Sequence, residues 1–375
     1  MKTLSTFFIG LSALLSAGMC PSPADHDIPQ KQTHPTGALY QEDPFLACYD
    51  RNKEVCYCEC VDPCLEIMPS AGPRVCNGGN FYIKGNFIYW VLNEEGLEYV
   101  FRGVQTGTDP EITSKASIKE PDFCLQPGFK VGLGVQLPHD NWDLFLNYTW
   151  IQGKGDGDTS GTNMEATWFS PLVGDIVRAQ AKWHLTVNNF DFELGRNFYT
   201  SRYLTMRPFA GLKGGWHDND FKLRYLDEMA PASSFVDRIQ IDGSLWYLGM
   251  RAGCNSHWYI FKSFAIYGDA AISANWSFFA TDYLEQQYFP GQPTVRQDTT
   301  FTRNTLHTVI PILELGIGLE WDIFFSDNDY HLALALGWEE QVWWGHNNFI
   351  TNTQPQHNLG DLAMQGLNFK IRFDF

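Results

Sequence analysis

From residue 81 onward the dominant regularity is strict alternation of apolar and polar positions, the period-2 signature of strands with one greasy and one wet face. In ILELGIGLEWDIF, Leu313, Leu315, Ile317, Leu319, Trp321 and Ile323 fall on one side and Glu314, Gly316, Gly318, Glu320 and Asp322 on the other. FKVGLGVQL repeats the scheme, with Phe129, Val131, Leu133, Val135 and Leu137 facing away from Lys130, Gly132, Gly134 and Gln136. So do the last nine residues, in which Leu367, Phe369, Ile371, Phe373 and Phe375 alternate with Asn368, Lys370, Arg372 and Asp374. Helical periodicity is nearly absent.

Further segments of this kind run Phe81 to Val91, Leu97 to Phe101, Asp143 to Trp150, Lys182 to Leu194, Leu204 to Trp216, Leu245 to Cys254, Phe264 to Phe278 and Leu332 to Trp344, which makes eleven strands. The connections alternate between short, such as Pro138 to Asn141 and Ser326 to Tyr330, and long, such as Gln152 to Ala181 and Ala280 to Ile310. Short turns on one side and long loops on the other predict an all-β fold, a transmembrane antiparallel up-and-down β-barrel. Single-chain bacterial barrels have even strand counts, so one more strand is expected between Phe221 and Ile241 or just before Phe81. The total is then about 12, within a range of roughly 10 to 16.

A soluble β-sandwich also alternates, but three features favour lipid. The segments are longer than the usual five or six residues of globular strands and match a tilted bilayer crossing. Trp150, Trp183, Trp216, Trp246, Trp276 and Trp344 cluster beside the long loops, where an interfacial girdle of outward-facing indoles is expected. The wet faces carry charges among glycines, which suits a water-filled lumen. Counting along them sets Asp143, Asp191, Glu193, Asp269, Glu314, Glu320, Asp322 and Asp374 against Lys84, Lys130, Lys182, Arg207, Lys213, Arg251, Lys370 and Arg372, a balanced lumen. Of these, Lys130, Arg207, Lys213, Arg251, Glu314, Glu320, Lys370 and Arg372 are the candidate pore-lining residues.

The N-terminus reads as a secretory signal peptide over residues 1–18, with Lys2, an apolar run from Leu4 to Leu15 and small residues at Ser16-Ala17-Gly18; cleavage is expected between 18 and 24. Residues 19–79 form a Cys- and Pro-rich extension without sustained periodicity, and the barrel is expected over 80–375. The chain carries 26 Lys and Arg against 43 Asp and Glu, a formal charge of −17, which excludes a nucleic-acid partner for want of a basic face. In an exported chain, Cys48, Cys56, Cys58, Cys60, Cys64, Cys76, Cys124 and Cys254 read first as disulfide formers; the CYCEC spacing lacks the paired form of a zinc site, so no metal is expected. No nucleophile elbow, phosphate-binding loop or dinucleotide fingerprint is present in a suitable context, so neither enzymatic activity nor a cofactor is expected. His184, His217, His307, His331, His346 and His357 make no metal-ligand pattern and read as loop surface.

GNFYIKGNFIYWVLNEEGLEYV at 79–100 and GFKVGLGVQLPHDNWDLFLNYTW at 128–150 resemble the first two hairpins of the major-outer-membrane-protein-like porins of Legionella and environmental chlamydiae. The terminal Phe375 on an alternating strand is similar to the signal read by the barrel-assembly machinery. The resemblance implies an outer-membrane porin passing small hydrophilic solutes and ions, sometimes disulfide-linked within the envelope. With a balanced lumen and acidic loops, an open, weakly cation-selective channel is expected. The alternative is a structural or adhesive surface protein, anchored by its barrel and cross-linked by its cysteines. Expected partners are outer-membrane lipid, the assembly machinery, and further copies of the chain or disulfide-linked envelope proteins.

Overall fold

The computed structural model describes residues 71–73, 75, 80–103, 117–137, 142–168, 176–227, 235–261, 263–288, 296–350 and 357–375. The signal peptide, nearly all of the extension and its six cysteines from Cys48 to Cys76 therefore lie outside the described residues.

Fourteen strands follow in chain order: β1 (Phe81–Glu94), β2 (Val100–Arg102), β3 (Ser117–Lys119), β4 (Asp122–Phe123), β5 (Gln126–Gln136), β6 (Trp142–Ala166), β7 (Ile176–Arg196), β8 (Phe198–Ser201), β9 (Leu204–Asp227), β10 (Phe235–Phe261), β11 (Phe264–Tyr288), β12 (Arg296–Phe325), β13 (Tyr330–Ile350) and β14 (His357–Asp374). Ten of them close a ring of antiparallel neighbours, β1-β5-β6-β7-β9-β10-β11-β12-β13-β14, with β14 returning to β1 from Tyr82↔Asp374 to Glu94↔Leu362. Closure satisfies every strand edge, which lipid requires. Phe375 and Phe81 seal the seam with reciprocal backbone bonds of 3.1 and 3.4 Å.

Ten barrel strands stand at the lower end of the expected range. The segment from Leu97 to Phe101 is not one of them: Val100–Arg102 instead pairs with β3 and with Met164–Ala166 of β6. Among the described residues no extra strand lies between Phe221 and Ile241 either, because Phe221–Asp227 and Phe235–Ile241 are the continuations of β9 and β10. Most of the long "loops" are strand. β10 and β12 reach 27 and 30 residues, where crossing a bilayer takes about 9–11.

These continuations escaped the alternation reading because the alternation inverts along each strand. On β7 the inward side runs Glu193, Asp191, Asn189 and then Val187, Leu185, Trp183, while the outward side runs Leu194, Phe192, Phe190 and then Asn188, Thr186, His184, Lys182. Below Asn189 the wall is apolar toward lipid and charged inside; above it, water lies outside and the apolar residues pack within. Two of the expected placements fall to this inversion. Trp183 points inward, 2% exposed, with its indole N–H donating to Asn219 Oδ1 at 2.7 Å, and Lys182 points outward. The other five tryptophans lie on the outer face.

There they belong to an aromatic belt, in which Phe129 stacks on Trp150 (5.6 Å), Tyr148 meets Phe190 (4.8 Å), Phe190 meets Trp216 (5.8 Å) and Trp246 meets Trp276 (5.5 Å). A second belt circles the short-turn end, with Phe325, Tyr330, Phe373 and Phe375 in mutual contact. On β9 the outward run from Leu204 to Trp216 is twelve steps, roughly 30 Å at about 3.3 Å per residue and a ~40° tilt, the thickness of a bilayer core. The turn joining β12 to β13 holds Ser326, Asp327 and Asn328 at φ of 56°, 55° and 67°, a left-handed run that Asp and Asn accept more readily than most residues.

Candidate functional site

All eight candidate pore-lining residues point into the ring, and the contacts they make reach across it. Lys130 on β5 pairs with Glu339 on β13, two strands beyond its own neighbour, and Lys370 on β14 reaches Asp269 on β11 at 2.6 Å. Arg207 holds Asp143 through Nη2 at 2.5 Å and Glu193 through Nη1 at 2.7 Å. Arg251 carries the chain onward, donating to Glu193 and, through Nη2 at 3.0 Å, to Glu314. Lys213, 1% exposed, then ties Glu314 (3.1 Å) to Asp191 (2.8 Å). Arg372 meets Asp374 at 2.6 Å, and His257 faces Glu320 at 3.3 Å.

The inner face is therefore packed with paired charges rather than open to bulk water around each one. Narrow barrels fill themselves with side chains. The even balance also shifts. Lys182 leaves the set and Glu339 joins it, so the inward acids Asp143, Asp191, Glu193, Asp269, Glu314, Glu320, Asp322, Glu339 and Asp374 exceed the bases Lys84, Lys130, Arg207, Lys213, Arg251, Lys370 and Arg372. Glu339 was within reach of the sequence: the row Leu332, Leu334, Leu336, Trp338 places position 339 on the opposite face.

Glycines in this layer make room for the rings between the charges. A Cβ on Gly132 would lie 2.4 Å from the Phe145 ring, and one on Gly134 2.0 Å from Tyr82, which donates to Asp143 at 3.2 Å. Gly316 differs, since a Cβ there meets Asp269 at an ordinary 3.5 Å. An inward position is thus not by itself permissive: any side chain at Gly132 requires the Phe145 ring to shift. Gly132→Ala should lower the urea midpoint of the refolded barrel measurably while Gly316→Ala leaves it within about 0.5 kcal/mol of the parent.

Above the ionic layer sits a polar relay that the sequence left among surface loops. His346 Nδ1 donates to Glu94 at 2.9 Å, His217 Nδ1 lies 2.8 Å from His346 Nε2, and His217 Nε2 lies 2.8 Å from Asn189 Oδ1, which also accepts from Tyr247. All five residues are at least nine-tenths buried. His331 is likewise interior, 2.7 Å from Asp374. His217 and His346 look like loop residues only while the strands are thought to end near Trp216 and Trp344, and His331 only while β13 is thought to start at Leu332. A small cavity of about 20 Å³ adjoins the relay, lined by His217, His346, Asn219, Thr281, Phe279 and Phe349 among others.

An apolar cap closes the outer half. Trp168, Phe221 and Phe349 stack edge-on and face-on at 5.7 to 6.4 Å, with Leu97, Tyr99, Val100, Tyr225 and Tyr283 packed around them. Hydrogen bonds fix the piece of chain that carries the cap: Trp168 Nε1 donates to the Glu98 carbonyl at 2.7 Å, and the Tyr225 hydroxyl to the Tyr99 carbonyl at 2.7 Å.

Of the cysteines, Cys124 is exposed near the outer end and Cys254 is half-buried on the lipid side of β10 near the short turns; both are free thiols. At opposite ends of the wall they do not bridge each other. Among the described residues no cluster of three His, Cys, Asp or Glu side chains is arranged to hold a metal.

Solved structures with a similar fold include the outer membrane protease OmpT from Escherichia coli (TM-score 0.35, 9% identity, 80% of this chain and 98% of that one). They also include the toluene transporter TodX of P. putida (TM-score 0.25, 8% identity, 79% and 90%) and Ail, the attachment invasion locus protein of Yersinia pestis (TM-score 0.19, 9% identity, 56% and 96%). No curated protein sequence matches the chain. A family model described as the Legionella pneumophila major outer membrane protein precursor matches residues 73–375, the whole of the barrel. This chain, an integral β-barrel of the bacterial outer membrane, belongs to the Legionella major outer membrane protein family.

Proposed function

We propose that the barrel is a narrow diffusion channel for ions and small hydrophilic solutes, weakly cation-selective, gated by the apolar cap. The observation that carries this reading is the column of charged side chains filling the membrane-spanning half. Buried ion pairs are dispensable for stability, since well-packed apolar residues of similar volume often do as well or better. A barrel serving only as an anchor gains little from seven bases and nine acids threaded through its core. A column of exchangeable ion pairs, by contrast, gives a permeating ion a succession of polar partners. The excess of acids over bases favours cations, and their near balance keeps that preference weak.

Above the column, Trp168, Phe221 and Phe349 place a dry constriction of the kind that limits conduction by excluding water. Trp168→Ala combined with Phe349→Ala is expected to speed the swelling of proteoliposomes in small sugars several-fold while the barrel stays folded by its heat-modifiable gel mobility. Unchanged swelling in the folded double variant would remove the cap from the path.

The anchoring alternative draws on the strand continuations, which lift the long-loop end well clear of the membrane. Folded protein that passes neither ions nor sugars, with or without the cap residues, would favour it.

A further inference from the structure

We propose that the outer face of β13 and β14 around Glu340 is the contact surface for a second copy of this chain within the membrane. The outward row of β13 reads Leu332, Leu334, Leu336, Trp338, Glu340, Val342, Trp344, with Leu336, Trp338 and Trp344 exposed by 57%, 46% and 39%. Glu340 is exposed on the same side. Four residues below Trp344, it lies roughly 10 Å inside the upper aromatic belt at about 3.3 Å per residue and ~40° tilt. Between the two belts it is the only Asp, Glu, Lys or Arg on the outer face among the described residues. A carboxyl group there has no water to bond with, and hydrocarbon tails offer nothing in its place.

Its neighbours say what covers it. Across the ladder on one side stands Gln365, and on the other Leu315. A carboxyl beside a carboxamide forms a patch holding both donors and acceptors, so the patch is complementary to itself. Two copies meeting on the same face would each supply the other's missing partner, an isologous contact, with Leu315, Leu336, Trp338 and Leu367 as its apolar surround.

A second observation singles out the same face. The β12–β13 ladder runs up only to Ile312↔Trp343 among the described residues, just above Glu340. Beyond it, β12 continues along β11, whereas β13 bulges at Gly345 (φ +67°) and joins β14 through Asn347↔Gly360. The wall parts directly over the polar patch, at the one place where a neighbouring barrel would buttress it.

The test is the association of the full chain, refolded in micelles with a reductant present to exclude disulfide-linked species and followed by sedimentation equilibrium. The parent should dimerise reversibly. Glu340→Leu and, separately, Gln365→Leu should weaken association by about tenfold or more while preserving the folded gel mobility, and Met250→Leu on a remote part of the outer face should leave it unchanged. A parent that remains monomeric across the accessible concentrations, or a folded Glu340→Leu variant that associates as the parent does, would overturn the proposal.

Discussion

Replacing Arg207 with methionine is expected to destabilise the barrel by about 3–5 kcal/mol, read as a fall in the urea midpoint of unfolding from lipid vesicles. Among the described residues the guanidinium is the sole bridge between Asp143 and Glu193, at 2.5 and 2.7 Å, and Asp143 is only 2% exposed. Methionine matches the volume but leaves a buried carboxylate without its counter-charge, and that loss dominates. Removing the charge from both partners, Arg207→Met with Asp143→Asn, should recover a substantial part of the stability. The pair Arg178–Asp158 on the outer continuation provides the contrast: its geometry is equally good at 2.5 Å, yet the two side chains are 51% and 48% exposed. Arg178→Met should therefore leave the urea midpoint close to that of the parent. Equal effects at Arg207 and Arg178 would mean that water reaches the interior freely.

The second large effect concerns the lipid face. Ile317→Arg is expected to cost about 2–4 kcal/mol, because Ile317 lies midway between Val309 near the upper belt and Phe325 in the lower one, with Trp338 rather than a carboxylate across the ladder. Leu133→Arg should cost less, since Leu133 stands three residues from the short-turn end of β5, where a long side chain can lift its charge into the headgroups. Gly316→Arg, one residue from Ile317 but facing inward beside Asp269, should be close to neutral. Refolding yield and urea midpoints in vesicles of one lipid rank the three; a Gly316 variant as damaged as the Ile317 variant would contradict the assignment of faces.

How much of this was legible follows from where the solvent changes. Within the bilayer the outer face is apolar without a break, so the period-2 rule found nine of the ten wall strands with their faces correct, including Leu133, Leu315 and Phe369 outward and Lys130, Arg251 and Glu314 inward. On β7 it misplaced Trp183 and Lys182, because that strand was read as one face from Lys182 to Leu194 although the solvent on its two sides changes near Asn189. The same change hid the strand continuations, and with them His217 and His346. Cross-barrel partners were out of reach for a different cause: Lys130 and Glu339 are 209 residues apart, and only closure of the ring brings them together. The near-glycine packing of Tyr82 and Phe145 was equally invisible, since alternation reports direction and not the space available.

The central claim, that ions pass along the charged column, is tested most directly by the reversal potential of the folded, full-length protein in a planar bilayer under a salt gradient. Small conductance steps with a modest cation preference are predicted, the preference fading as salt rises because the screening length falls from about 10 Å at 0.1 M to about 3 Å at 1 M. Marked anion selectivity, or no conductance at all from protein shown to be folded in the same membrane, would contradict it.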